Sequence, residues 1–215
     1  MESSSLGSIR FRPMLASDIG HVPMNCHGEA SALSERIREL GSAAILAYDG
    51  DQHVGQLQFR KHLPDLRSKE GIFSPDWWGD FADRRQNLPD RTLCIYCYHV
   101  GQLTDGEARD QRYQGRGLGA ALLDHLVDWA DANMFGAVVA KAVPANTAVM
   151  RFMGGQPENI YAAKGFMRID RWVDRQMHGA LVDRGLIAKD EDSESVATVG
   201  LYMRELSAGK GVHHA

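Results

Sequence analysis

The sequence has no apolar run approaching the ~20 residues that a helix needs to cross a bilayer, so no membrane partner is expected. Its first residues, Met1-Glu2-Ser3-Ser4-Ser5, lack the basic start and apolar stretch of a secretory signal, which reads as a cytoplasmic location. A basic excess is also missing: 24 Lys and Arg stand against 28 Asp and Glu, for a net charge of −4. A nucleic-acid partner ordinarily needs a cationic surplus, so that class is set aside. Cysteine is scarce, with 3 in 215 residues. That odd count is too small for a disulfide framework and suits reduced thiols. No internal repeat or low-complexity linker is visible. The remainder, 44% hydrophobic and 24% charged, is ordinary for a folded domain with one sizeable core.

Periodicity supplies the elements. Ile9 to Arg12 alternates as a half-buried strand does, and Pro13 ends it. Asp18 is placed to cap a following helix. Leu33, Ile37 and Leu40 predict a helix over Glu29 to Leu40. Ala43 to Tyr48 and His53 to Phe59 read as strands joined by a tight turn at Asp49-Gly50-Asp51. Residues 60–91 are rich in Pro, Asp, Arg and Trp without a period, long enough to be a lid on the substrate side. Thr92 to Val100 reads as a strand, followed by a polar stretch from Gly101. Leu118, Leu122, Leu126 and Trp129 make Leu118 to Ala130 the clearest amphipathic helix in the chain, stopped by Asn133 and Gly136. Then come a strand at Ala137 to Val143, a short helix at Glu158 to Lys164 and a strand at Phe166 to Val173. A helix within Met177 to Lys189, a last strand at Val196 to Leu206 and a frayed tail over 207–215 complete the reading.

One segment carries chemistry. Gln114-Gly115-Arg116-Gly117-Leu118-Gly119-Ala120 enters the amphipathic helix. Alternate glycines let the backbone turn tightly and approach a ligand. The first helical turn has N–H groups without internal partners and a partial positive charge, which suits a pyrophosphate. Arg116 can add a charge contact. A P-loop is excluded because no Gly-Lys-Ser/Thr follows. A dinucleotide fingerprint fits Gly115-x-Gly117-x-x-Ala120 but lacks the strand directly before it and the acidic residue beyond. A helix-start turn with no ligand also fits.

The motif Gln114-x-x-Gly117-x-Gly119 resembles the signature of the GCN5-related N-acetyltransferase (GNAT) superfamily. Tyr161-Ala-Ala-Lys-Gly165-Phe166 resembles a second segment of that family, and the order of elements is similar over nearly the whole chain. The resemblance implies a single α/β (α+β) domain over 1–215, with its core at about 8–206. The fold would be a mixed, mostly antiparallel sheet with splayed central strands flanked by helices. It implies direct transfer of an acetyl group from acetyl-CoA to a primary amine in a ternary complex, with no metal. Gln114, Gly115, Arg116, Gly117, Leu118, Gly119 and Ala120 would hold the pyrophosphate of coenzyme A. Tyr98, His99 and Val100 would lie beside its pantetheine arm and supply an oxyanion amide. Tyr161 would protonate the departing thiolate. Two departures are visible: Gly101 to Tyr113 lengthens the link between strand and glycine loop, and the family's usual Asn is displaced to Asn146, with Arg151 to Glu158 looping out.

Other residues are weighed against plainer roles. His99, in the strand beside the expected cofactor arm, is a candidate general base for the acceptor ammonium. Trp77, Trp78 and Phe81 suit an acceptor pocket, or a plug over the core. Cys94, Cys97 and His99, with Cys26-His27 for a fourth ligand, invite a metal reading. Strand alternation sends Cys94 and Cys97 to opposite faces, so no metal is expected. The acceptor is a small-molecule or protein amine, and relatives of this kind are often homodimers. A catalytically silent acetyl-CoA-binding module and a dinucleotide-dependent enzyme are the alternatives.

Overall fold

The computed structural model describes residues 6–62, 88–106 and 108–208. Trp77, Trp78 and Phe81 lie outside the described residues. The elements are β1 (Ile9–Pro13), α1 (Ala30–Leu40), β2 (Ala44–Asp49), β3 (Gln52–Lys61), β4 (Thr92–Val100), α2 (Leu118–Ala132), β5 (Ala137–Ala142), α3 (Thr147–Met153), α4 (Glu158–Ala163), β6 (Met167–Val173), α5 (Arg175–Asp183), α6 (Ser193–Ala197) and β7 (Thr198–Glu205). The strands and helices form a mixed α/β fold whose pairings are mostly antiparallel. Among the described residues no helix is long and apolar enough to cross a membrane.

The chain divides into two compact units. The first comprises residues 1–60 and 95–133. In it the strand order is β1-β2-β3-β4, with β1 and β3 antiparallel to β2. The β2–β3 hairpin closes with Asp49 opposite Gln52, as the Asp-Gly-Asp turn predicts. Helix α1 places Leu33 and Ile37 one turn apart, so both face a core that includes Met14, Val22, Ala44 and Leu46. Helix α2 buries Leu118, Leu122, Leu123, Leu126, Val127 and Ala130. It lies against β1 and β2, where His125 stacks on Phe11 at 4.4 Å between ring centroids.

The second unit comprises residues 61–94 and 134–215. Its order is β4-β5-β7-β6, with β7 antiparallel to both of its neighbours. The start of β4 pairs in parallel with β5 over Thr92–Cys94 against Ala137–Val139. The core gathers Val139, Val149, Trp172, Met177, Leu181, Leu201 and their neighbours.

Three expectations change. No α-helix follows Asp18. Its carboxylate takes both guanidinium nitrogens of Arg12, at 2.7 and 2.6 Å, and the Leu15 amide at 2.7 Å, ending a short 3-10 turn instead. Residues 151–153 continue helix α3 rather than looping out. Val196 and Ala197 close α6, so the last strand begins at Thr198.

A buried ion pair stiffens the second unit. Asp174 is fully buried and caps α5 by accepting from the Met177 amide at 2.9 Å, while Lys141 Nζ donates to its other oxygen at 3.2 Å. Removing one member of such a pair leaves a buried charge without its counter-ion. Asp174→Ala is therefore expected to lower unfolding free energy by roughly 3–5 kcal/mol, measured by urea denaturation. Asp174→Ala combined with Lys141→Met should recover a substantial part of that loss.

Candidate active site

The glycine loop opens α2 without obstruction. Gly117 is the N-cap residue, with φ 82°, and no side chain caps the helix. A Cβ at Gly115 or Gly117 would meet nothing within 4 Å. Gln114 to Gly117 are exposed, and only at Leu118 does a side chain turn into the core. The first turn of a 15-residue helix is thus without a side-chain cap, in a region of partial positive charge.

The polar stretch before the loop does not carry it away from β4. Gly101 N–H donates to Val54 O and Asp110 N–H donates to Gly101 O, both at 2.8 Å. The two ends of the excursion therefore meet. Gln114 Nε2 then donates to Val100 O at 2.5 Å, across 14 positions of sequence. The glycine loop consequently begins at the end of β4, where a short connection would have put it.

Along the end of β4, Cys97, Tyr98 and His99 are buried and Val100 is half-buried. Strand alternation puts Cys97 and His99 on one face and Tyr98 on the other. His99 Nδ1 makes a short hydrogen bond with Gln102 Oε1. Its Nε2 is buried and has no hydrogen-bond partner among the described residues. Facing Cys97 is Cys26, with a sulfur–sulfur distance of 3.8 Å. Cys97 donates its S–H there, which lowers the Cys26 thiol to about 5 and raises that of Cys97. Cys94, by contrast, packs in the second unit's core, as alternation required.

The segment bearing Cys26 is held at several points. Gln56 Nε2 and Gln58 Nε2 donate to Pro23 O and Asn25 O, each at 2.8 Å. Asp105 Oδ1 accepts from the Met24 amide at 2.6 Å, and Asn25 Nδ2 donates to Asp105 O at 2.6 Å. His27 shares a 3.0 Å hydrogen bond with Gln56 Oε1. Burial pushes His27 and His53 down to about 4, so both rings are neutral near pH 7.

In the second unit, Tyr161 is 1% exposed. Its ring lies 5.5 Å from Phe166 and 6.1 Å from Tyr202, so the Tyr-x-x-x-Gly-Phe spacing is a packing contact as well. Tyr202 donates its hydroxyl to Glu158 at 2.9 Å. Asn146 caps α3, its Oδ1 accepting from the amides of Ala148 and Val149 at 2.9 and 3.3 Å. That employment gives Asn146 a local structural role. The sequence offered Cys26-His27 as a further ligand beside Cys97 and His99, but the i, i+2 spacing on β4 signals only a shared face; the fold brings Cys26 to that face from 71 positions away.

Comparison with known proteins follows from this geometry. A family model described as the acetyltransferase (GNAT) family matches residues 23–154, a span that includes the glycine loop and stops before Tyr161. No curated protein matches the chain significantly in sequence. Among solved structures, it is similar to an acetyltransferase of the GNAT family from Streptococcus pneumoniae. That match has 12% identity and a TM-score of 0.51, covering 92% of this chain and 99% of that one. It is also similar to yncA from Salmonella typhimurium, solved with its cofactor acetyl-CoA, at 16% identity, TM-score 0.51, and 97% and 96% coverage. The NatC complex bound to Gag peptide and CoA matches at 11% identity, TM-score 0.50, and 93% and 99% coverage. At such identities the likeness concerns the fold.

The closure at Gly101 is testable. Its φ is 73°, and a Cβ there would lie 2.5 Å from Asp110 O. Left-handed backbone costs an L-residue roughly 1–2 kcal/mol before any collision. Gly101→Ala is expected to lose at least that stability in chemical denaturation, whereas Gly106→Ala, in the same excursion, should lose about 1 kcal/mol or less.

Proposed function

The chain belongs to the acetyltransferase (GNAT) family, a class of acetyl-CoA-dependent N-acetyltransferases, and from that membership we propose that it acetylates a primary amine by direct attack in a ternary complex. Acetyl-CoA supplies the activated acetyl thioester. The observation that carries the reading is the uncapped, exposed N-terminus of α2 behind two glycines with open space beside them.

In this reading the amides of Gly115 to Ala120 bind the diphosphate and Arg116 adds a charge contact. Gln114 acts differently from its neighbours: its side chain is spent on Val100 O, so it shapes the loop. The backbone of Tyr98, His99 and Val100 lies along the pantetheine arm, and one of its amides receives the acetyl oxygen as it gains charge. Tyr161, in the family position for the general acid, donates its phenolic proton to the leaving thiolate. His99 has a lone pair on Nε2 suited to take the proton from the acceptor ammonium. The acceptor pocket is assigned to Trp77, Trp78 and Phe81. The acceptor is a small molecule or a protein amine, and a homodimer is compatible with the family.

Acetyl-CoA is expected to raise the melting temperature, and NAD(P) or FAD to leave it unchanged; the reverse pattern would identify a dinucleotide site. Gly117→Val, with a branched residue at positive φ in the cradle, should weaken acetyl-CoA binding at least tenfold by calorimetry. Thiol release with an amine panel separates an enzyme from a silent binding module. Tyr161→Phe should cut kcat by 10- to 100-fold while leaving acetyl-CoA affinity within a factor of about two. Unchanged kcat would remove Tyr161 from the acid role.

A further inference from the structure

We propose that Cys26, Cys97 and His99 form a binding site for a thiophilic divalent transition-metal ion of the zinc type, which shares His99 with the proposed acetyl-transfer site and is not required for its chemistry. The three candidate ligand atoms lie within 4.8 Å of one another. The 3.8 Å between the two sulfurs is the edge of a tetrahedron whose metal–sulfur bonds are about 2.3 Å, the length zinc–thiolate bonds take.

The histidine is prepared in the way metal ligands are. Gln102 Nε2 donates to Gly106 O at 3.0 Å, which fixes the amide so that its oxygen faces His99. That oxygen can only accept, so Nδ1 carries the proton and Nε2 presents a lone pair. A ligating imidazole characteristically donates its other N–H to such an oxygen. Nε2 is buried with no hydrogen-bond partner among the described residues, which ordinarily costs stability unless something occupies it.

Cys26 is prepared too. Its φ is 66°, a conformation uncommon for any residue but glycine. It is kept there by the bonds from Gln56, Gln58 and Asp105 to the flanking backbone. A weak S–H···S contact accounts for the sulfur spacing, and a contact from His99 to Cys26 would occupy the imidazole; neither explains the strained cysteine. Cys26 is exposed while Cys97 and His99 are buried, so an ion can enter from solvent and keep water as a fourth ligand, as three-ligand zinc sites do. On binding, two metal–sulfur bonds and one metal–nitrogen bond form in place of three of the ion's bonds to water, and whatever proton the two sulfurs still share leaves to solvent. Two thiolates and a divalent ion sum to zero charge, which tolerates the Arg109 guanidinium acting on both sulfurs. The ion would take the same Nε2 lone pair that a general base uses, so metal and turnover compete.

The test is a Co(II) titration of the reduced, chelator-stripped full chain. The expected result is a sulfur-to-cobalt charge-transfer band and tetrahedral visible bands saturating at one ion per chain, both bleached by Zn(II). The readout needs no turnover, so it stands whether or not the acetyl-transfer reading holds. Histidines elsewhere in the chain cannot produce the sulfur band. Cys26→Ala, folded by circular dichroism, should abolish it, and Gln102→Leu should weaken binding 10- to 100-fold. Absence of the band in the unaltered chain, or its survival in Cys26→Ala, overturns the proposal.

Discussion

The bond from Gln114 Nε2 to Val100 O decides where the glycine loop and the N-terminus of α2 lie. A helix N-terminus is electropositive wherever it occurs, but it becomes part of a site only when a strand end stands beside it. The polar excursion between β4 and α2 would separate the two if it were extended. The mutual bonds of Gly101 with Val54 and Asp110 close it, and the left-handed backbone at Gly101 makes that closure sterically possible. The residue that opens the family signature therefore works here through its side chain as a clasp, and the glycines behind it are left unobstructed for a ligand.

The excursion has a second consequence. Gln102 and Asp105, both within it, reach His99 and the Met24–Asn25 backbone. One inserted segment thus orients the histidine at the end of β4 and helps to hold the cysteine loop against it. Beside the Arg109 guanidinium, which acts on both sulfurs, lie neutral polar groups: the amides of Gln56 and Gln58, and imidazoles that burial keeps uncharged. Such a layer can hold a lone pair in place, which either proton transfer or metal ligation requires.

Much of this was legible beforehand where local pattern and tertiary role coincide. The apolar stripe of α2 had to be buried, and it is. The Asp-Gly-Asp turn had to close β2 on β3, and it does. Cys94 and Cys97 had to point apart. Asp18 shows the limit: a helix-capping residue by type, it met a guanidinium six positions earlier in sequence, and a bidentate ion pair displaced the helix start. Helix α3 was missed because the segment that forms it is only seven residues long and follows Pro144 without a clear apolar period.

What the sequence determined by itself was the longer elements and the glycine-opened helix, because hydrophobic periodicity, turn residues and backbone freedom act over a few residues. What only the tertiary structure decided was which side chains meet. Cys26 joins Cys97 from 71 positions away, and Gln56 meets His27 from 29. Contacts at such separations depend on strand register and loop closure, which no local pattern encodes.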